Sequence, residues 1–157
     1  MTHRRFTIAT YLLALVALCD QLSKWWILYS VMQPPRVIEV TSFLNFVLVW
    51  NKGVTFGLLN QVDHRLMVYF LVAVAAVILF LLGRWLWRTS SMTVSLGLGA
   101  IMGGAIGNVL DRLRYGAVVD FLDFYYRDYH WYAFNIADAA IVTGVGLLLL
   151  DSLVRGR

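Results

Sequence analysis

Charge is scarce in this chain. Only 14% of its 157 residues are charged and 61% are hydrophobic, where a soluble domain averages about 25% and 45–50%. That balance excludes an ordinary water-soluble globule. Cysteine occurs once, at Cys19, so no internal disulfide braces the fold. The histidines, His3, His64 and His130, stand too far apart for metal-ligand spacing, and neither metal nor cofactor is expected. The formal charge of +4 includes no basic run interleaved with aromatics, which removes nucleic acid from the expected partners. Neither H-E-x-x-H nor G-x-S-G occurs, so zinc and serine intramembrane proteases lack their signatures.

What the chain does have is long apolar runs. They fall at about 6–31, 66–83, 92–110 and 135–153, each near the ~20 residues that a helix needs to cross a bilayer. The fold class expected is an all-α integral membrane protein of four spans, one domain over 1–157. The N-terminus imitates a secretory leader: His3, Arg4 and Arg5 precede Phe6 to Leu18. Leu18 is large where processing before Cys19 would need a small residue, and the apolar pattern continues through Trp25, Trp26 and Ile27. The first run is therefore read as an uncleaved span. Arg84 and Arg88 are expected to frame a short turn between spans two and three.

Two longer connections share the far side. In 32–65, Pro34 and Pro35 stop the first helix. Val37 to Val40, Phe43 to Trp50 and Val54 to Phe56 read as short strands. In 113–134, Val118, Val119, Phe121, Leu122 and the aromatics Phe124, Tyr125, Tyr126, Tyr129, Trp131 and Tyr132 make the segment sticky. Both connections are expected at the membrane interface. Lysines and arginines together are equally frequent at the two faces, but the face bearing the termini is nearly free of acids. On that asymmetry the termini are placed in the cytoplasm.

The polar residues gather at one depth. Asp20 lies about 21 Å along span one from Phe6, and Asn108 about 24 Å along span three from Met92, at 1.5 Å per residue. Asp138 enters span four from that same face. A charge at depth in lipid costs at least about 2.5–3.5 kcal/mol on insertion scales, so such a collection argues for a site. A transport path would need polar groups through the full depth, and span two has none. Asp20 and Lys24, four apart, share a helical face. Ser23 and Lys24 point about 100° apart, a poor nucleophile–base pair. Gly99, Gly103 and Gly107, with Gly104 alongside, form a stripe for close helix packing, which would aim Asn108 and Asp111. A surface pair of Asp111 with Arg112 would leave Asn108 unexplained, since an amide in lipid needs partners. Asn135 suits a helix cap.

Asp120 and Asp138 both lie in apolar surroundings, where desolvation raises a carboxyl pKa. Brought together they could not both ionise and would titrate as a coupled pair. That is aspartic-protease chemistry, needing neither metal nor serine. Spacing alone does not show that they meet. Asp123, three residues from Asp120, is assigned a structural or hydrogen-bonding role.

The ordered pieces Asp20-Gln21-Leu22-Ser23-Lys24, Asn51-Lys52-Gly53-Val54-Thr55-Phe56-Gly57, Gly104 to Arg112, Val118 to Phe124 and Phe134-Asn135-Ile136-Ala137-Asp138 resemble bacterial lipoprotein signal peptidase (signal peptidase II). Thr55 departs from the usual Ala or Ser. The resemblance implies an intramembrane aspartic endopeptidase with a small extracytoplasmic β-cradle and an interfacial loop or helix. It implies cleavage of diacylglyceryl-modified prolipoproteins before the lipidated cysteine, in the bacterial inner membrane, with cytoplasmic termini and a site near the outer leaflet. Asp120 and Asp138 match the catalytic pair. Asp20, Lys24, Asn51, Gly53, Gly104, Asn108, Asp111, Arg112, Val118, Phe134, Asn135 and Ala137 match positions that bind substrate or hold the pair. Sensitivity to globomycin and a monomeric state are further expectations.

Overall fold

The computed structural model describes residues 2–53 and 64–155. The candidate strand at 54–56, Gly57 and Thr55 lie outside the described residues. Four helices are long and apolar enough to cross a membrane. These are α1 (Thr2–Trp26, continued by a π-helical turn Ile27–Val31), α2 (His64–Arg88), α3 (Met92–Tyr115) and α4 (Ile136–Arg155).

α3 is the central helix. Of its most apolar window 56% is buried inside the protein, against 11% for each of the other three, so α1, α2 and α4 turn most of their surface to lipid. On α1 the outward stripe is Tyr11, Leu15, Leu18 and Leu22, all more than half exposed. That i, i+4, i+7, i+11 spacing puts them on one helical face. In water such a stripe would aggregate; in hydrocarbon it is solvated.

The glycine stripe faces α1. A Cβ on Gly99 would come within 2.7 Å of the Ala9 carbonyl oxygen, and one on Gly103 within 2.7 Å of that of Leu13. Gly104 faces α4 instead, and a Cβ there would fall onto the Ala137 carbonyl oxygen. Bare backbone thus lets α3 approach both neighbours at once, which is how small residues hold helices together in lipid.

The helices outrun their apolar stretches. α2 continues to Arg88, so Arg84 and Arg88 stand on the helix and the turn is confined to 89–91. The reason is packing: Leu86 is buried with Ala9, Val94 and Leu98, which keeps the last turn of α2 wound. Ser91 then caps α3 by accepting from the Val94 N–H at 3.3 Å. α3 extends past Leu110 to Tyr115, where Gly116 takes φ +74° and donates to the Arg112 carbonyl, a left-handed stop.

An antiparallel sheet in the order β1–β2–β3–β4 sits at one end of the bundle. Its strands are β1 (Ile38–Thr41), β2 (Leu44–Asn51), β3 (Val118–Tyr126) and β4 (Tyr129–His130). β1 and β2 fall within a residue of expectation. The second connection, read only as a sticky interfacial segment, forms β3 and β4. Val118, Val119, Asp120 and Phe121 are successively buried, and a strand covered on both faces shows no alternation to read.

β2 bulges against β3. Phe46 pairs with Leu122 but Val49 pairs with Asp120, so β2 spends one extra residue there. A one-residue slip turns side chains to the other face. Without it Leu48 would oppose Asp120, and Asn51 would point away. With it, Asn51 lies diagonal to Asp120 on the same face.

Candidate active site

Five elements converge where the sheet meets the bundle. Asn51 at the end of β2 donates from Nδ2 to Asp120 Oδ2 at 2.9 Å. Asn135 donates from Nδ2 to Asp120 Oδ1 at 2.6 Å. The same residue starts α4 through a reciprocal cap: its Oδ1 accepts from the Asp138 N–H at 2.9 Å, and its N–H donates to Asp138 Oδ2 at 3.2 Å. This is capping-box geometry in which the returning acid is Asp138 itself. Asn108 on α3 donates to Asp138 Oδ1 at 2.8 Å. The two acids, remote in sequence, are therefore tied to one asparagine. Asp120 is 1% exposed, whereas Asp138 is only partly covered.

Beneath them lies a buried ion cluster. Lys24 Nζ is 2.8 Å from Asp20 Oδ2 and 2.8 Å from Asp111 Oδ2, with all three side chains nearly inaccessible. It also donates to Asn108 Oδ1 at 3.2 Å. Asp111 thus turns inward rather than forming a surface pair with Arg112, whose Nη1 instead donates to the Asn108 carbonyl at 3.2 Å. Each carboxylate of the cluster holds one backbone amide. The Ala137 N–H donates to Asp20 Oδ1 at 2.9 Å, and the Val119 N–H to Asp111 Oδ2 at 3.1 Å. Ala137 directly precedes Asp138 and Val119 directly precedes Asp120. One ammonium therefore fixes the backbone behind both acids. Ser23 stays out of this chemistry, its Oγ donating to the Asp20 carbonyl at 2.8 Å.

Phe134 closes the arrangement. Its carbonyl accepts from the Phe121 and Leu122 N–H groups at 3.0 and 2.8 Å, its N–H donates to the Leu122 carbonyl at 3.0 Å, and its ring stacks on Phe124. That bridge brings the start of α4 alongside β3. Val118, 1% exposed, pairs with Asn51 across the sheet. Gly53 has φ +74° and donates its N–H to Asn51 Oδ1 at 2.9 Å. A side chain there would strain the backbone and approach Leu71 Cδ1 to 2.8 Å. Gly104, by admitting α4, allows the Asn108–Asp138 bond. Arg112 lies in the field of both acids.

Burial pushes the Asp120 carboxyl up to about 6, and the nearby charge of Asp138 adds to it, while the amides of Asn51 and Asn135 pull it down. A carboxyl that keeps its proton up to about pH 6 beside a second, more accessible acid can supply the donor–acceptor pairing that amide hydrolysis needs.

Asp123 stands on the other face of β3. It accepts from Asn45 Nδ2 at 3.1 Å and lies 2.9 Å from His130 Nδ1. Gln21 was given no role by sequence reasoning. Its Nε2 reaches Asp111 Oδ1 at 2.9 Å and the Gly107 carbonyl at 3.2 Å. The available signal was an amide at membrane depth, which must find partners.

Residues 12–154 match the family model described as signal peptidase (SPase) II. The chain is 44% identical to the lipoprotein signal peptidase of Rhodopseudomonas palustris (strain TIE-1), over 98% of this chain and 95% of that protein. It is 46% identical to the lipoprotein signal peptidase of Methylorubrum extorquens (strain PA1), over 90% and 82%. A solved structure described as a bacterial membrane enzyme, determined by the in meso method at 1.9 Å, superposes with a TM-score of 0.82 at 27% identity, covering 94% of this chain and 93% of that one.

Proposed function

The chain belongs to the signal peptidase II family, and from that membership we propose that Asp120 and Asp138 jointly hydrolyse the peptide bond before a lipidated cysteine. The protein is a multi-pass membrane peptidase that removes signal peptides from lipoprotein precursors. The observation that carries the dyad is the bonding of both acids to Asn135.

In the proposed cycle Asp120 enters protonated and Asp138 ionised. Asp138 takes a proton from water as the oxygen attacks the carbonyl carbon, and Asp120 gives its proton to the carbonyl oxygen. The resulting gem-diol collapses. Asp138 returns its proton to the cysteine nitrogen, the C–N bond breaks, and Asp120 recovers a proton from one gem-diol hydroxyl as the carbonyl re-forms, leaving a carboxylic acid and a free amine. No charge beyond one negative unit ever rests on the pair. The Asp20–Lys24–Asp111 cluster, together with Asn51, Asn108 and Asn135, keeps the two acids in register, and Gly53, Arg112 and Val118 border them.

The proposed substrate carries a diacylglyceryl group on its cysteine. Anchored in the outer leaflet, that group would hold the scissile bond at the depth of the acids, lowering the entropic cost of attack. On this reading the termini are cytoplasmic, the membrane is the bacterial inner membrane, the single domain acts as a monomer, and globomycin inhibits. The test is prolipoprotein processing by Asp120→Asn, Asp138→Asn and Asp123→Asn at matched protein level. The first two variants are expected to be inactive and the third active, with a chelator leaving wild-type turnover unchanged. Near-normal turnover by either of the first two removes that residue from the dyad.

A further inference from the structure

At the end of the bundle away from the acids lie two hollows that share Trp87, one between α1 and α2 and one along α2. The first, of about 200 Å³, is lined by His3, Arg5, Phe6, Leu86, Trp87 and Thr89. The second runs along α2 past Phe80, Gly83, Arg84 and Arg88. Phe6 meets Trp87 edge to face at 5.4 Å, and the Arg84 guanidinium lies over the Phe80 ring at 5.9 Å. Both hollows thus have aromatic walls and a cationic rim.

The charge there is not locally neutralised. Among the described residues no carboxylate lies within ion-pair distance of Arg4, Arg5, Arg84 or Arg88. The acid at this end, Asp151, is occupied by Ser91 Oγ at 2.6 Å and Arg155 Nε at 3.0 Å. The depth is set by the helices themselves: α2 ends at Arg88 and α3 starts at Met92, so the hollows fall at the headgroup layer of a bilayer that these helices span. Basic pockets between membrane helices at that level suit anionic headgroups.

We propose that this seam binds an anionic phospholipid, with the phosphodiester in the cavity at Arg5 and Thr89 and an acyl chain along Phe80 and Gly83. The lipid extends the contact of α1 with α2 beyond the Phe6–Trp87 and Ala9–Leu86 packing. Topology control by the same arginines would require charge but neither a cavity nor aromatic walls, so the test reads binding.

Native mass spectrometry of the full chain in neutral detergent, titrated with dioleoyl phosphatidylglycerol or dioleoyl phosphatidylcholine, measures it. Wild type is expected to retain one phosphatidylglycerol about tenfold more tightly than phosphatidylcholine, and inorganic phosphate is expected not to displace it. Arg5→Gln with Arg88→Gln is expected to lose about tenfold or more of that affinity. Arg5→Lys with Arg88→Lys is expected to keep most of it, and Arg127→Gln on the distant β3–β4 hairpin all of it. Equal retention of both lipids by wild type overturns the proposal without reliance on any variant. So does displacement by phosphate alone, or unchanged retention by the double glutamine variant with normal prolipoprotein processing.

Discussion

Asn135 Nδ2 lies 2.6 Å from Asp120 Oδ1 while the Asn135 N–H reaches Asp138 Oδ2 at 3.2 Å. One residue therefore sets the separation of the two acids, and it does so from the cap of the helix that carries one of them. Asn135→Ala removes both the helix cap and the amide on Asp120. The cap alone is worth about 0.5–2 kcal/mol, which a stable variant survives. The larger effect is expected on kcat, a fall of about 100-fold with KM little changed, measured on purified protein with a lipidated peptide.

The acid pair also predicts a pH profile. Asp120 is raised from its usual 3.8 to about 6, so the folded protein holds this proton more tightly than the unfolded chain. Its contribution to stability is full below 3.8, declines between 3.8 and about 6, and stays lost above. The amount is on the order of 2–3 kcal/mol. Activity that needs one proton on the pair is expected to show an alkaline limb in kcat/KM near 6, belonging to the pair rather than to one acid. Asn51 stabilises the charged form of Asp120, so Asn51→Ala is expected to move that limb to higher pH. A limb that stays put in the variant would separate Asn51 from the titration.

Lys24 joins Asp20 to Asp111 out of contact with water. Lys24→Met leaves two buried carboxylates without a counter-charge, and breaking a buried pair in that way costs about 3–5 kcal/mol. Thermal unfolding in detergent is expected to show that loss, and processing is expected to fall with it because the Val119 and Ala137 amides lose their fixed acceptors.

Two glycines separate packing from propensity. At Gly103 a Cβ would press on the Leu13 carbonyl oxygen and, at 2.9 Å, on Val16 Cβ, whereas at Gly146 it would meet nothing within 4 Å. Gly103→Val is expected to destabilise by about 1–3 kcal/mol. Gly146→Ala is expected to be neutral or to stabilise by up to about 1 kcal/mol. Unfolding midpoints of the two variants provide the comparison.

The spans were legible because hydrocarbon demands long apolar helices, and Gly99, Gly103 and Gly107 announced where α3 would be approached. The Asp20–Lys24 pair was legible from its four-residue spacing. Its union with Asp111 was not, since no local pattern tells which distant helix faces which. Asp120 and Asp138 could be marked as costly residues from their apolar flanks, yet their meeting depends on the Phe134–Leu122 bridge, a long-range backbone contact with no sequence signature. β3 escaped notice because burial on both faces erased its alternation.

Asn45 and Asn51 are six residues apart on β2, an even spacing that would point both the same way on a regular strand. Their partners, Asp123 and Asp120, are three apart and point oppositely. The single surplus residue between Phe46 and Val49 reconciles the two counts. Lengthening or trimming that strand by one position would leave its hydrophobic character intact yet turn one of the two asparagines away from its acid.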